Sequence, residues 1–343
     1  MKLSTVIPVF NEMESLERLH AELSEVAHAN AYQLEIIFVD DGSTDASWET
    51  IEQLAARDAR VRGIRFRRNF GKAAALSAGF SIATGELILT LDADLQDDPH
   101  EIPRFLAEIE RGLDVISGWK QVRHDPWHKV IPSRAFNWLV GFLTRVRLHD
   151  HNCGFKCYRR EIFSEVRLYG ELHRFVPVLA ASRGWKIGEI VVQHRARKFG
   201  KSKYGFKRII KGFLDLFTVY FLTGFGQRPQ HLLGTLGLIA FLLGGTGVAV
   251  LTGSWLMSRV DLDPANDLHL HERALFYYSM GAALLGAQFL SVGLLAELFT
   301  AQTGHHILPY SIKEHVGKPG GLAAVVSATT ENSTTLSPKD AMV

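Results

Sequence analysis

The sequence predicts an α/β fold with a mostly parallel sheet, followed by two helices that span a membrane. Three observations support this prediction. Short β-branched runs alternate with segments of helical period, polar clusters directly follow three of those runs, and two long uncharged runs lie between residues 229 and 300. Alternating strands and helices of this kind form parallel sheets covered by helices on both faces.

The alternation is regular from the first residues onward. Apolar β-branched runs, typical of buried strands, occupy Ser4–Val9, Leu34–Val39, Val61–Phe66, Leu87–Leu91 and Val115–Gly118. Segments with apolar residues three and four apart, typical of helices, occupy Glu14–Ala29, Ala46–Ala59, Ala73–Ala83 and Pro99–Arg111. The MKLSTVIPVF start carries Pro8 and no small-residue cleavage site, so it predicts a first strand rather than a signal peptide.

Three polar clusters follow predicted strands. They are Pro8–Glu12, Asp40–Asp45 (DDGSTD) and Asp92–Asp98 (DADLQDD). Ligands of open parallel sheets gather outside the carboxyl ends of the strands. The sequence therefore places its functional site at this edge.

The third cluster has the residue types of a metal site. Asp92, Asp94 and Gln96 alternate at a strand end, so their oxygens are expected to converge on one hard cation. Such a cation can bridge the phosphates of a nucleoside diphosphate and neutralise charge as this group leaves. An acidic turn that caps the helix starting near Pro99, through Asp97 or Asp98, is the simpler alternative.

The second cluster favours contacts with a nucleotide. Asp40 and Asp41 can accept hydrogen bonds from a base or ribose, Gly42 allows a sharp turn, and Asp45 is placed to begin a helix. Downstream, the NFGK segment that ends at Lys72 precedes a small-residue helix, and a helix N-terminus beside a lysine suits a phosphate.

Two uncharged runs, Leu232–Met257 and Ala274–Ala296, each exceed the roughly 20 residues that span a bilayer core. The loop Ser258–Arg273 between them is acidic, whereas the flank before the first run is rich in Lys and Arg. The positive-inside rule then places the large N-terminal domain in the cytoplasm. Buried core helices are the alternative.

Residues 190–214 contain no acidic side chain but eight basic ones: Arg195, Arg197, Lys198, Lys201, Lys203, Lys207, Arg208 and Lys211. Attraction to anionic headgroups explains such a run at about 1 kcal/mol per basic residue. A specific phosphate site is favoured because Gly200 and Gly205 bracket a bendable loop and Ser202 adds a donor. The segment Phe206–Phe221 has apolar residues at helical spacing and is expected to lie in the membrane interface.

Composition excludes several other classes. A formal net charge of +2 is too small for a nucleic-acid binder. Two cysteines, Cys153 and Cys157, form neither a disulfide framework nor a zinc motif, which favours a reducing compartment. His149 and His151 flank Asp150 in a loop, where surface polarity is a better explanation than a second metal.

The segments VIPVFNE, VDDGSTD, NFGKAAALSAG and LDADLQDDP, in this order, resemble the nucleotide-sugar-binding half of GT-A glycosyltransferases. The resemblance is closer to the dolichol-phosphate mannose synthase and polyprenyl-phosphate glucosyltransferase branch, since it continues through CGFKCYRRE, ELHRFVP and HRARKFGKSKYG. It covers almost the whole chain up to the tail.

This resemblance implies a set of site residues. Mg²⁺ or Mn²⁺ is expected at Asp92, Asp94 and Gln96. Nucleotide-sugar contacts are expected at Pro8, Glu12, Asp40, Asp41, Lys72 and Ala93. Contacts to the lipid phosphate are expected at Ser133, Arg134, Arg195, Arg197, Ser202 and Lys203, although Lys129 stands where the branch has an arginine. The QxxRW motif of processive synthases is absent from the sequence, which disfavours polymerisation.

The expected reaction is inverting transfer of a hexose to a polyprenyl phosphate. A phosphate monoester is largely dianionic at neutral pH, so no strong general base is required, and Asp150 is expected to orient acceptor or sugar. GDP-mannose, UDP-glucose and UDP-N-acetylglucosamine all remain compatible donors. A different lipid or glycan acceptor, or a non-catalytic nucleotide-sugar-binding scaffold, are the alternatives, and a transporter is disfavoured because the spans lack charged pairs.

The expected organisation has four parts: a GT-A domain over residues 1–205, an interfacial helix and linker over 206–228, two spans over 229–300, and a partly disordered tail over 301–343. The spans are rich in small residues, among them Gly244, Gly245, Gly281 and Gly286, which leaves an oligomer through the membrane as an option.

Overall fold

The computed structural model describes residues 1–121, 127–166, 172–195, 207–225, 228–260 and 269–303. Three of the predicted acceptor residues, Arg197, Ser202 and Lys203, lie outside these ranges, as does the tail beyond residue 303.

The N-terminal region is built on a seven-stranded sheet with the order β3-β2-β1-β4-β6-β5-β7. The strands are β1 Lys2–Val9, β2 Gln33–Asp40, β3 Val61–Arg65, β4 Leu87–Thr90, β5 Val115–Trp119, β6 Lys156–Arg159 and β7 Ile187–Val191. Strand β6 runs antiparallel to β4 and β5, and the other neighbouring pairs are parallel. The predicted mostly parallel sheet is confirmed.

Ten α-helices are described: α1 Met13–Ala29, α2 Ser47–Arg57, α3 Lys72–Ile82, α4 Ile102–Glu110, α5 Trp127–Thr144, α6 Ile162–Glu165, α7 Val176–Ser182, α8 Lys207–Phe225, α9 Pro229–Val260 and α10 Ala274–Thr303. Short 3₁₀ helices at Pro99–Glu101 and Leu172–Phe175 precede α4 and α7. The first three predicted helices agree with the structure to within two residues at each end, and the fourth begins as the 3₁₀ helix at Pro99 and continues as α4 from Ile102.

The core forms because each helix turns one apolar stripe toward the sheet. In α1, Leu16, Leu19 and Leu23 recur three and four residues apart and are fully buried in one cluster with Phe38 of β2. Each such side chain stabilises the fold by about 2 kcal/mol relative to solvent exposure. This packing fixes the sheet whose edge carries the candidate site.

The order in which strands are added to the sheet reverses at β1, which has β2 on one side and β4 on the other. A crevice outside the carboxyl ends is expected at such a point. The polar segments after β1, β2 and β4 therefore meet there. One prediction is wrong in detail: β4 ends at Thr90, so Asp92–Gln96 is a turn rather than a strand end with alternating side chains.

Helices α9 and α10 are long and apolar enough to cross a membrane, with mean hydropathies of 1.9 and 1.7. Only 17% and 11% of their most apolar windows are buried within the protein, which disagrees with the alternative of core helices. The two helices pack closely through glycine: a Cβ placed on Gly237 would lie 2.8 Å from the carbonyl oxygen of Gly286.

Two of the four small residues have a partner within the chain. Gly244 and Gly286 lie against the other helix of the α9–α10 pair, where an added Cβ would collide with backbone atoms. An oligomer through the membrane stays a prediction. Gly245 and Gly281 have no such neighbour within 4 Å.

Candidate functional site

The loops after β1 and β2 are joined by hydrogen bonds. Asn11, which has a left-handed φ of 56°, accepts the Thr44 N–H through Oδ1 at 2.8 Å, and its own N–H donates to Ser43 Oγ at 2.9 Å. The Glu12 N–H donates to Ser47 Oγ at 3.0 Å. The predicted clusters Pro8–Glu12 and Asp40–Asp45 are thus brought together.

Asp40 and Asp41 are both buried and both accept backbone N–H groups. Asp40 Oδ1 accepts from Ser43 at 2.9 Å, and Asp41 accepts from Phe70 at 2.6 Å and Gly71 at 2.9 Å. Burial raises the pKa of Asp41 above its ordinary value, and these N–H donors oppose that rise only in part. The two carboxylates hold the backbone of the segments that follow β2 and β3. Their contact with a nucleotide stays a prediction.

One of the two predicted helix caps is confirmed. Asp45 precedes Ala46, the N-cap of α2, although its Oδ1 accepts the N–H of Ser47 at 3.0 Å. Asp98 Oδ1 accepts the N–H of His100 at 3.0 Å and caps the 3₁₀ helix Pro99–Glu101.

Lys72 and Asp92 form an ion pair between the start of α3 and the end of β4. Burial alone would raise the pKa of Asp92, but Lys72 and Lys120 outweigh it and hold the pKa at about 2. The carboxylate is therefore ionised at neutral pH. Lys72 was predicted as a phosphate ligand and Asp92 as a metal ligand, and the structure places the two side chains in direct contact.

Asp94 and Gln96 lie in the turn that follows. Asp94 is buried and accepts the Gln96 N–H at 3.2 Å, while Leu95 between them has a left-handed φ of 61°. The Gln96 amide nitrogen lies 3.5 Å from Nε2 of His194, which the sequence did not single out as a ligand. Carboxylate, amide and imidazole groups suit a divalent cation such as Mg²⁺ or Mn²⁺.

Within the described part of the chain, no three Asp, Glu, His or Cys side chains gather as a ready metal cluster. Asp92 faces Lys72, Asp94 accepts the Gln96 N–H, and His194 lies beside the Gln96 amide. Convergence of Asp92, Asp94 and Gln96 on one cation stays a prediction.

A buried ion pair lies beside this turn. Lys120 Nζ contacts Asp97 Oδ1 at 2.8 Å, and Asp97 pairs with His194 through a β-bridge. Burial would lower the pKa of Lys120, but Asp97, Cys153 and Asp92 outweigh this effect and raise it. Lys120 is a permanent cation that the sequence gave no reason to select.

Arg195 differs from the expectation of a free phosphate ligand. Its guanidinium lies 2.6 Å from Glu22 on α1 and 2.7 Å from Asp98, and its N–H donates to the Gln96 carbonyl at 2.9 Å. The guanidinium is thus paired with two carboxylates. Arg195 links α1 to the turn that contains Gln96.

Asp150 lies in a tightly bonded loop. Its N–H donates to Glu189 Oε1 at 3.0 Å, and its Oδ1 accepts the Asn152 N–H at 3.1 Å. Next to it, His149 stacks on Trp119 with ring centroids 4.0 Å apart. These bonds suit the predicted orienting role better than that of a mobile base.

The flanking His151 is fully buried, and burial lowers its pKa to about 3. It is therefore neutral at physiological pH.

The other predicted residues lie around this edge. Ala93 is buried in the turn, and Pro8 lies near the end of β1. Ser133 and Arg134 lie on α5, where Arg134 is exposed.

A cleft opens beside Asp92 and is lined by Lys72, Lys156, His173 and Arg174 among others. The last three have no predicted role, although Lys156 belongs to CGFKCYRRE, and His173 and Arg174 belong to ELHRFVP. Their membership in these motifs was the signal that could have identified them.

Comparison with known proteins agrees with this geometry. Residues 4–167 match the model of glycosyl transferase family 2. Dodecaprenyl-phosphate galacturonate synthase of Rhizobium johnstonii is 37% identical over 303 residues, which are 87% of this chain and 87% of that protein. The chain belongs to glycosyl transferase family 2.

Solved structures give the same fold for this family 2 glycosyltransferase. Glucosyl-3-phosphoglycerate synthase from Mycobacterium tuberculosis, in complex with Mn²⁺, UDP and phosphoglyceric acid, matches with a TM-score of 0.50 and 16% identity over 65% of this chain and 78% of that chain. Its complex with Mn²⁺, UDP and glucosyl-3-phosphoglycerate gives a TM-score of 0.51 and 15% identity over 65% and 79%. The GT-A fold expected from the sequence is confirmed.

Proposed function

We propose that this family 2 enzyme transfers a sugar from a nucleotide-sugar to a polyprenyl phosphate at the membrane surface. The relative at 37% identity is named for a dodecaprenyl-phosphate product, and the match extends over 87% of both chains. The name also makes a uronic acid donor the first to test, alongside neutral hexoses.

One structural observation carries the proposal: the cleft beside Asp92 borders α8, the helix that precedes the apolar hairpin. Arg174 lines this cleft, and its Nη1 lies 3.7 Å from where a Cβ on Gly212 of α8 would be. On the same helix, Leu214 and Phe217 are 64% and 68% exposed. We place the lipid phosphate at the mouth of this cleft, with its tail against this apolar surface.

Helix α5 extends this apolar surface. Trp138 and Phe142 are stacked on each other at 5.6 Å and are about 70% exposed, and Phe136 meets Phe213 of α8 edge to face at 5.8 Å. Large exposed apolar patches mark interaction surfaces. Together with the two candidate spans, α5 and α8 support a membrane-bound enzyme, and the basic flank before α9 supports a cytoplasmic catalytic domain.

The acceptor phosphate is the nucleophile. Its second pKa of about 6 makes it mainly dianionic at neutral pH, so it attacks the anomeric carbon without a strong base, and the nucleoside diphosphate leaves from the opposite face. The configuration at the anomeric carbon is inverted. Asp150 holds the loop beside the cleft rather than accepting a proton.

Asp94 and Gln96, with His194 beside them, are the groups proposed to hold Mg²⁺ or Mn²⁺. A divalent cation there supplies charge stabilisation for the departing diphosphate. Lys72 lies at the N-terminus of α3, where a phosphate is favoured, and forms an ion pair with Asp92. We assign the lipid phosphate to Ser133 and Arg134, with Arg197, Ser202 and Lys203 of the basic segment 190–214.

The acceptor is tested with the purified full chain in detergent and labelled nucleotide-sugars. Three reactions are compared: with polyprenyl phosphate, with polyprenol of equal chain length, and without lipid. We expect a labelled lipid only with the phosphate. Product from polyprenol would show a lipid hydroxyl acceptor, and donor binding without any lipid product would favour a binding scaffold; either result contradicts the proposal.

A further inference from the structure

One carboxylate holds the segment 149–154, which lies between α5 and β6. Glu189 of β7 has only 12% of its side chain exposed. Its Oε2 accepts the His149 N–H at 3.1 Å and lies 2.8 Å from Nδ1 of the same residue, and its Oε1 accepts the Asp150 N–H at 3.0 Å. Hydrogen bonds to an ionised acceptor are stronger than those to a neutral one. Glu189 therefore fixes the start of this segment.

The neighbouring strand holds the same residues from a second direction. Ser117 of β5 is the register partner of Glu189, and its hydroxyl donates to the Asp150 carbonyl at 3.4 Å. The His149 ring is nearly parallel to the ring of Trp119 on β5, with 12° between the two planes. Regions with few such contacts open readily, whereas this one is bonded at both strands. The segment is thus held in one conformation.

The segment begins next to the side of the site assigned to the acceptor. Asn137 of α5 donates to the His149 carbonyl at 2.6 Å. Asn137 lies one helical turn after Ser133, which we assign to the lipid phosphate. The start of the segment is therefore attached to the helix that carries the acceptor contacts.

The segment ends against the Asp92 carboxylate. The Asp150 Oδ1 accepts the Asn152 N–H at 3.1 Å, and Asn152 and Gly154 both line the cleft. The backbone of Gly154 lies so close to Asp92 that an added Cβ would be 2.6 Å from Oδ2. A series of direct contacts thus runs from Glu189 to the carboxylate that pairs with Lys72.

We propose that Glu189 is a positioning residue for the transfer reaction. It acts through the segment 149–154, which sets the acceptor contacts on α5 relative to the Asp92 carboxylate. This inference rests on the proposed transfer to polyprenyl phosphate and adds a residue to it. Reaction requires the attacking oxygen and the anomeric carbon to lie about 3–3.5 Å apart, and a misplacement of about 1 Å costs about 100-fold in rate.

Loss of this positioning affects kcat more than KM. Each substrate keeps its own contacts in the ground state, whereas the alignment of the two substrates is needed only for the chemical step. A residue that binds one substrate would instead raise the KM for that substrate. A residue that only stabilises the fold would lower the folded fraction and leave kcat per folded enzyme unchanged.

The test replaces Glu189 in the full chain. Glu189→Gln keeps the size of the side chain, but an amide nitrogen cannot accept an N–H, so part of the bonding to the segment is lost. Asp114→Asn is the matched control. Asp114 precedes β5, at the opposite end of the same strand pair, and its Oδ2 accepts the Lys186 N–H at 2.9 Å. Both variants therefore lose one charge and one carboxylate acceptor of a backbone N–H.

The kinetic constants for labelled nucleotide-sugar and polyprenyl phosphate are measured in detergent, with kcat expressed per folded enzyme from near-UV circular dichroism. We expect Glu189→Gln to lower kcat at least about tenfold and to leave both KM values within about twofold of the wild type. Asp114→Asn should leave kcat and both KM values unchanged.

Amide hydrogen exchange of the segment 149–154 is the second measurement, and it needs no transfer reaction. In the absence of substrates, exchange should be at least about tenfold faster in Glu189→Gln than in the wild type, because local opening becomes less costly. Asp114→Asn should exchange like the wild type over the same segment.

Each contrary result has its own meaning. An unchanged kcat per folded enzyme in Glu189→Gln would leave only a stabilising role and overturn the proposal. A raised KM for one substrate with unchanged kcat would place Glu189 in the binding site of that substrate and also overturn it. Absence of lipid product from the wild type contradicts the proposed function instead. Unchanged exchange in Glu189→Gln overturns the positioning role whether or not lipid product forms.

Discussion

The backbone of Gly154 lies directly against the carboxylate of Asp92, so that a Cβ on Gly154 would be 2.6 Å from Asp92 Oδ2. The position of Gly154 is fixed because its carbonyl accepts the Thr90 hydroxyl at 2.7 Å. There is therefore room for only a hydrogen atom at Cα of residue 154, beside the Asp92 carboxylate that pairs with Lys72.

The first prediction concerns this contact. Gly154→Ala should displace the Asp92 carboxylate and lower kcat/KM at least about tenfold, since a small misplacement of a positioning group is costly in rate. Stability should change little, because the displaced atoms are at the end of a side chain. Gly224→Ala on α8, with no atom within 4 Å of the new methyl group, is the matched control. Wild-type kinetics in Gly154→Ala would show that the position of Asp92 is unimportant.

Asp94→Asn should weaken binding of Mn²⁺ at least about tenfold and abolish metal-dependent turnover, because a neutral amide is a poorer ligand for a hard cation. Mn²⁺ binding is measured by titration calorimetry, which does not depend on catalysis. The exposed Glu49→Gln serves as a control for the loss of one charge. Unchanged Mn²⁺ affinity in Asp94→Asn would remove this residue from the metal site.

Arg195→Gln should lower the free energy of unfolding by about 1 kcal/mol, since it removes partly exposed ion pairs with Glu22 and Asp98. The KM for polyprenyl phosphate should stay unchanged, and Arg195→Lys should restore part of the stability. Denaturant unfolding and acceptor titration measure the two quantities. A raised acceptor KM with unchanged stability would return Arg195 to the phosphate site.

Glu35 predicts a pH dependence of stability away from the site. Burial raises its pKa, but hydrogen bonds from Ser4, Thr84 and Arg62 outweigh this effect and lower the pKa to about 2. A depressed carboxyl pKa contributes stability above the unfolded value of about 4.5 that is lost as the pH falls toward 2. Glu35→Gln should cost about 2–3 kcal/mol at pH 7 and much less near pH 3. Denaturant unfolding at the two pH values measures the difference, and an equal cost at both would contradict it.

The first four β–α units were predictable from local patterns. Short β-branched runs indicate the strands, and apolar residues three and four positions apart indicate the helices. The cap at Asp98 was predictable for a similar reason, since capping acts over two residues. The turn at Leu95 was not, because a left-handed φ at leucine is rare and depends on its surroundings.

Contacts between distant residues were not predictable from one sequence. Arg195 meets Glu22, which lies 173 positions earlier, and no local pattern relates them. Lys156 lies on a four-residue strand that is too short for a clear period. Its place in the cleft follows only from the antiparallel insertion of β6 between β4 and β5.

The central claim is most directly tested by incubating the purified full chain with labelled nucleotide-sugars and polyprenyl phosphate in detergent, with Mg²⁺ or Mn²⁺ and with a chelator. The account predicts a labelled polyprenyl-phosphate sugar that forms with metal and is lost with chelator. Equal product in the presence of chelator, or no lipid product from any donor, would contradict it.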